Sequence, residues 1–268
     1  MQVESIFEKG TGAMNEDFYF ASGSRFGVFD GATSLTPETY EQGCTGGYLA
    51  SNIAGRVFAT GDGPLLGLAD KANAAISEAM LERGVDLNDK KYLWSTSAAV
   101  VSLDNDRFEW VQIGDCLVMV IKEDGSHELL MDGFDHDTET LRMWQSVSAE
   151  ADDSILNALH DQILKVRGQM NVSYGVFSGE QEAMSFINHG QRDLDGVDSI
   201  LIFTDGLFVP SCDPERKEGF DHLASLFRQG GLRHVRDYIR SVEETDPCCR
   251  RFPRFKPHDD IAAISITF

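Results

Sequence analysis

Short apolar runs rich in β-branched and aromatic residues recur along the chain at 18–21, 26–29, 98–103, 108–113, 117–121, 200–203 and 261–268. Runs of that length between turn residues predict strands. The clusters Asp104-Asn105-Asp106 and Glu123-Asp124-Gly125-Ser126 punctuate the middle runs and suit antiparallel hairpins, which argues against an all-parallel sheet. Helical stretches lie between the strands. Thr36-Pro37-Glu38 places a hydroxyl cap before a proline and an acid, predicting a helix from there to about residue 59. A second is expected over 64–83, a third within 138–165, and two more after Asp213-Pro214-Glu215 and Gly230-Gly231. Helices in pairs between groups of strands predict an α+β fold with helices layered on antiparallel sheets. No repeat, proline-rich linker or shift in composition divides the sequence, so residues 1–268 are expected to form one domain.

Composition narrows the partners. The chain is 42% hydrophobic and 25% charged, which excludes a disordered or low-complexity protein. Its 44 acidic residues against 23 basic ones leave a net charge of −21, so phosphate backbones and anionic lipid are repelled, and neither nucleic acid nor a membrane is expected as a partner. The first eight residues carry acids where a secretory signal has a basic region, and no run of about 18 apolar residues occurs. A cytoplasmic protein is expected. The five cysteines are odd in number and irregularly spaced, which fits reduced structural thiols and neither a disulfide framework nor a zinc site.

Acids recur at the ends of the apolar runs. Asn15-Glu16-Asp17 enters the run at 18, Asp30-Gly31 leaves the run at 29, Thr204-Asp205-Gly206 leaves the run at 203, and His258-Asp259-Asp260 precedes the last strand. Any one of these reads as a turn. Together they place carboxylates distant in sequence where a sheet edge brings them close. Carboxylates gathered without bases repel, and hard divalent cations such as Mg²⁺ or Mn²⁺ relieve that repulsion.

The ordered set NED, VFDG, STSAAVV, IGDC, LIFTDGL and DDIAAISI, running from Asn15 to Ile266, resembles the metal-dependent Ser/Thr protein phosphatases of type 2C. The resemblance implies a four-layer α-β-β-α sandwich, two antiparallel sheets flanked by helix pairs, with two Mn²⁺ or Mg²⁺ ions at one edge. It places metal ligands on Glu16, Asp17, Asp30, the carbonyl of Gly31, Asp205 and Asp259, with Asp30 bridging the two ions. Asp260 is a rival for the place of Asp259. A third, weaker metal site would use Asp115 with Asp205. The implied activity is hydrolysis of phosphoserine and phosphothreonine in a phosphorylated protein by metal-activated water, with Asp30 and Asp205 carrying the catalysis.

Two positions depart from the pattern. The arginine that typically holds the substrate phosphate, four residues before the Glu of NED, is Gly12, so phosphate binding must come from elsewhere or from the metals. The histidine that many eukaryotic relatives carry after the first Asp-Gly is Ala32, which resembles bacterial members and predicts rates that depend steeply on the leaving group. These departures also keep open a non-catalytic binding or regulatory module and a hydrolase of small phosphate esters.

The remaining residues carry weaker readings. Cys116 beside Asp115 is expected in the core, and none of the five cysteines has the basic, glycine-rich neighbourhood of a nucleophile. Trp94, Trp110 and Trp144 are expected in or against the core, with Trp144 open to a substrate-docking role. Residues 132–137 read as a mobile loop leading to the family's substrate-selecting flap. Arg250-Arg251 with Arg254 and Lys256 forms the densest basic cluster, either a solvated loop or a docking patch for phosphoprotein. His258 is expected either in a solvated loop or in a hydrogen bond behind the metal ligands.

Overall fold

The computed structural model describes residues 1–131, 136–147, 154–214 and 219–268. One antiparallel sheet has β1 (Gln2–Glu8), β10 (Ile261–Thr267), β9 (Val197–Phe203), β6 (Leu117–Lys122) and β7 (His127–Leu129), in that order across it. The other has β2 (Phe18–Ser22), β3 (Arg25–Gly31), β4 (Thr96–Asp104), β5 (Arg107–Ile113) and β8 (Asn188–Asp193). The inner faces of the two sheets share a core of Val28, Ala99, Val101, Val118, Ile202 and Ile264, among others. Helices α1 (Gly46–Thr60) and α2 (Leu65–Glu82) cover the second sheet through Phe58, Leu68, Ile76 and Met80. Helix α6 (Gly219–Glu244) covers the first through Leu223, Phe227, Leu232 and Val235. Gly231, at φ 72°, kinks α6 into two helical halves, so helix pairs flank both sheets and the α+β four-layer sandwich holds. Among the described residues, no helix is long and apolar enough to cross a membrane.

The strand runs read from the sequence all become strands, whereas β1, β7 and β8 carried no signal. They are edge or terminal strands with few buried positions. Gln2–Glu8 buries only Ile6 and points Glu4 and Glu8 at Arg233, Arg236 and Arg240 of α6, so an ion-pair row replaces an apolar face. The region 138–165 divides into α3 (Thr138–Ser146), α4 (Ile155–Ala158) and α5 (His160–Arg167), which form a small cluster with Phe255 around Trp144.

The first helix begins later than expected. From 36 to 45 the chain is irregular, with Gln42 at φ 60° and Gly43 at φ 78° breaking helical geometry, and Thr45 is the true cap, its hydroxyl accepting from the Tyr48 amide. The Thr36-Pro37-Glu38 signature is overridden because α1 must start at Gly46-Gly47 for close packing. A Cβ on Gly46 would lie 2.3 Å from Trp94 Cδ1, and one on Gly47 would lie 2.5 Å from the Ala32 carbonyl oxygen. In return, a Cβ on Gly31 would stand 2.3 Å from the Gly47 carbonyl oxygen. The start of α1 therefore rests directly on the backbone that leaves β3.

Gly47→Ala is expected to destabilise the fold by about 1–3 kcal/mol through overpacking against backbone that cannot yield. Gly67→Ala, in the first turn of α2 with open space where its Cβ would lie, is expected to stabilise by up to about 1 kcal/mol through helix propensity. Denaturant midpoints of the two variants test the contrast.

Candidate metal centre

The register of both sheets brings the acidic segments to one edge. Asp30 pairs with Ser97 at the end of β3, Ala98 pairs with Ile113 so that β5 ends beside it, and Leu117 and Ala263 both pair with Phe203. Antiparallel strands alternate direction, so the chain leaving β3, β5 and β9 and the chain entering β6 and β10 emerge on the same side. Gly114, at φ 76°, turns the chain after β5 so closely over Ser97 that only glycine fits. Asp115 then follows, its amide donating to Ser97 Oγ at 3.3 Å.

Asp30, Gly31, Asp115, Asp205 and Asp259 line one cavity of about 160 Å³. Glu16 and Asp17 lie buried behind it. Glu16 accepts from the Thr33 hydroxyl at 2.8 Å and the Thr45 hydroxyl at 2.5 Å, and its carbonyl oxygen accepts from the Gly31 amide. Asp17 accepts from the Thr204 hydroxyl at 2.8 Å, and the same hydroxyl oxygen takes the Ala262 amide at 3.0 Å. The Asn15 side chain accepts the Asp17 amide, which explains the asparagine that opens the segment.

The two acids before β10 have different work. Asp260 is spent on backbone: its carboxylate accepts the amides of Gly10 at 2.7 Å and Glu16 at 2.9 Å, pinning the N-terminal segment to β10. Asp259 faces the cavity, with Lys256 Nζ 2.8 Å from its Oδ1. Gly10 and Gly206 sandwich this segment, since a Cβ on Gly10 would lie 2.3 Å from the His258 carbonyl oxygen and one on Gly206 would lie 1.8 Å from that of Asp260.

The electrostatics are those of a site held ready for cations. Burial, followed by the charges of Asp17, Asp205, Asp115 and Asp259, pushes Asp30 well above the ordinary carboxylate range. Burial likewise raises Asp17, reinforced by Asp259, Asp260 and Asp205 and opposed by the Thr204 hydrogen bond. Burial works against a charge on Lys256, but Asp259 and then Asp30 and Glu16 outweigh it and hold the ammonium ion firmly protonated. Among the described residues, no three His, Cys, Asp or Glu side chains form a ready-made cage around one point. The donor chemistry nevertheless fits Mg²⁺ or Mn²⁺: every candidate donor is oxygen, and Mg²⁺ characteristically keeps several waters while bound through one or two carboxylates. Asp30, Gly31, Asp115, Asp205 and Asp259 line the cavity in which such an ion would sit.

The cavity also contains groups that the sequence motifs did not reveal. Leu156, Ile163, Val166 and Arg167 of α4 and α5 form one wall, and His136, Asp137 and Tyr174 another. Arg167 donates through Nη2 to the Thr33 carbonyl oxygen at 3.0 Å. No local signal marks Arg167, because its role depends on α5 folding over the cavity. Gly12 does not line the cavity, and a Cβ there meets only the Met14 carbonyl oxygen at 3.2 Å.

Several other sequence readings resolve. Cys116 is buried, and burial followed by Asp30 and Asp115 raises its thiol far from reactivity. All three tryptophans are buried. Trp144 donates to the Cys249 carbonyl oxygen at 2.8 Å, and the Arg250 guanidinium carbon lies 3.4 Å from its ring centroid, so it anchors α3. The basic cluster is largely engaged within the fold: Arg250 binds the carbonyls of Trp144 and Val147, Arg254 pairs with Asp246, and Lys256 pairs with Asp259. His258 lies 2.7 Å from Glu243 Oε2, and Glu243 also takes Arg240, which donates to the Asp259 carbonyl oxygen. In the loop 132–137, residues 132–135 lie outside the described residues.

The profile of the family described as Protein phosphatase 2C matches residues 9–247. No curated protein sequence matches the chain. Among solved structures, the catalytic domain of the serine threonine protein phosphatase PstP, in complex with 2 manganese ions, shares the fold at 15% identity and a TM-score of 0.57, over 98% of this chain and 96% of that one. The serine/threonine phosphatase Stp1 from Staphylococcus aureus does so at 13% identity and 0.59, over 100% and 94%. The Ser-Thr phosphatase MsPP from Mycobacterium smegmatis, in complex with cacodylate, does so at 18% identity and 0.57, over 100% and 98%.

The raised carboxylates make a stability prediction. An acid whose folded pKa is raised contributes stability fully below its unfolded value of about 4, and loses it as pH rises towards the folded value. Without metal, melting temperature is therefore expected to fall as pH rises above about 4 through Asp17 and Asp30, and Asp30→Asn should lessen the fall. Added Mn²⁺ should raise the wild-type melting temperature increasingly with pH and that of Asp30→Asn much less. Thermal scans across that range check both expectations.

Proposed function

The chain belongs to the protein phosphatase 2C family, and we propose that it hydrolyses phosphoserine and phosphothreonine in proteins, through water activated by two Mn²⁺ or Mg²⁺ ions, in one domain spanning residues 1–268. The observation that carries this reading is the single cavity in which Asp30, Asp115, Asp205 and Asp259 face Arg167 and Lys256. Bound between carboxylates, such ions lower the pKa of water and neutralise charge on the phosphoryl oxygens. The ligands at the cavity surface are Asp30, the Gly31 carbonyl, Asp205 and Asp259, with Asp115 serving a third ion beside Asp205. Glu16 and Asp17 complete the set from behind.

Arg167 and Lys256 take the phosphate-binding work that residue 12 cannot do. Their charges lie in the same cavity as the carboxylates, and a guanidinium offers paired donors to phosphoryl oxygens. The apolar wall of Leu156, Ile163 and Val166 thins the water around the phosphate, which strengthens these contacts. A phosphocysteine route has no support, since Cys116 is buried with a raised thiol and Cys212 and Cys248 are exposed, with none of the five among the residues lining the cavity. The net charge of −21 favours a protein substrate over nucleic acid or anionic membrane partners.

Hydrolysis of phosphopeptides and p-nitrophenyl phosphate should require Mn²⁺ or Mg²⁺ and stop on chelation. Asp30→Asn and Asp205→Asn should each lower kcat by about 10²- to 10³-fold or more, the size of losing one preorganised electrostatic group. Wild-type rates in either folded variant would refute the metal assignment. Arg167→Ala should raise KM about 10- to 100-fold, matching a charge-assisted hydrogen bond of about 1.5–3 kcal/mol. Alkylation of exposed thiols should leave the rate unchanged.

A further inference from the structure

Asp259 stands outside the hydrogen-bond ladder that fixes β10. Pairing of β10 with β1 ends at Ile261 opposite Glu8, so residues 258–260 are held by other groups, because backbone carbonyls removed from water need donors. The residues on either side are tied to the start of the chain. The His258 carbonyl oxygen accepts the Thr11 amide at 2.9 Å, and the Asp260 carboxylate accepts the amides of Gly10 and Glu16. The carbonyl oxygen of Asp259 turns to the helical layer instead: it accepts from Nη2 of Arg240, in the second half of α6, at 2.8 Å.

The Arg240 guanidinium is itself held in place. Its Nε donates to Glu8 Oε1 and its Nη1 to Glu243 Oε2, both at 2.8 Å, and the side chain is 14% exposed. Glu8 is steadied in turn by Arg236, and Glu243 Oε2 lies 2.7 Å from His258 Nδ1. One planar group thus joins the end of β1, the end of α6 and a residue that lines the acidic cavity. A rigid fork with donors in fixed directions can serve three acceptors at once, whereas a lysine carries a single nitrogen on a flexible stem. Arg236, which also pairs with Glu8, sends its other hydrogen bond to Asp237 at 2.7 Å.

Resting on the metal-dependent reading above, we propose that Arg240 is a positioning residue of the metal centre, which by holding the Asp259 carbonyl fixes the direction from which the Asp259 carboxylate enters the cavity. A cation binds tightly where its ligands are held in place beforehand, and groups behind the ligands typically account for about 10- to 100-fold of affinity. The anchors of His258 and Asp260 both come from residues 10–16. Arg240 is the brace from the opposite layer, so the second half of α6 does more than cover its sheet. The ion pairs of Arg240 with Glu8 and Glu243 serve to aim the guanidinium, and the bond to Asp259 is where that aim reaches the site.

Mn²⁺ affinity of the full chain, read from the electron paramagnetic resonance signal of free Mn²⁺, tests this without turnover. Arg240→Gln should weaken binding about 10- to 100-fold. Arg240→Lys keeps the charge but not the fork, and should still lose at least about 5-fold; it carries the same comparison if Arg240→Gln does not fold. Arg236→Gln, which removes the neighbouring ion pair to Glu8, should stay within about 2-fold of wild type. Asp259→Ala should weaken binding by itself, and adding Arg240→Gln to it should cost less than about 2-fold more, because residues that act through one another are not additive. Wild-type affinity in both Arg240 variants, an equal loss in Arg236→Gln, or additive losses in the double variant would each overturn the proposal. If Asp259→Ala binds Mn²⁺ as the wild type does, the metal assignment itself fails and takes this inference with it, whereas a loss in Asp259→Ala beside inert Arg240 variants overturns this inference alone.

Discussion

Mutual repulsion among buried carboxylates is the constraint on which the rest of the structure depends. Asp17 and Asp30 are raised far from their ordinary range by burial and by Asp115, Asp205 and Asp259 around them. An ordinary fold avoids such a cluster, because unpaired charge removed from water is costly. Here the cost is carried by a framework that does not give way. Oxygen-binding cations relieve it when bound, and Lys256 and Arg167 offset part of it from the cavity walls.

That framework consists of close backbone approaches at the edge of the sandwich. Gly31 against Gly47 seats α1 on the chain leaving β3, while Gly10 and Gly206 trap residues 258–260 between them. The Asp260 carboxylate, holding the amides of Gly10 and Glu16, joins the first and last segments of the chain at the site. Side chains larger than hydrogen would separate the backbones that carry the acids. The site is therefore preorganised by positions with no chemistry of their own, consistent with catalysis that depends on fixed electrostatics.

The sequence was most legible where local pattern and tertiary role agree. The buried strands read directly because both faces are apolar, and the acids at their ends read as a group because turn residues recur at matching places. Glu16, Asp30, Asp205 and Asp259 were visible as motifs, while the separate tasks of Asp259 and Asp260 emerged only with the amides that Asp260 accepts. The start of α1 was misplaced because Gly46-Gly47 looks like a poor helix opening until Trp94 and Ala32 are packed against it. β1 was hidden because its partners are arginines of α6, distant in sequence. Arg167 and His136 were hidden for the same reason: neither has a neighbour in sequence that reveals the cavity it lines.

The acidic edge as a cation centre is tested most directly by diffraction from crystals grown with Mn²⁺, using anomalous scattering to locate the metal. The prediction is manganese within the cavity bounded by Asp30, Asp115, Asp205 and Asp259, with the Gly31 carbonyl among its ligands. Manganese confined to other surfaces, with Lys256 still on Asp259 and no ion between the carboxylates, would contradict it.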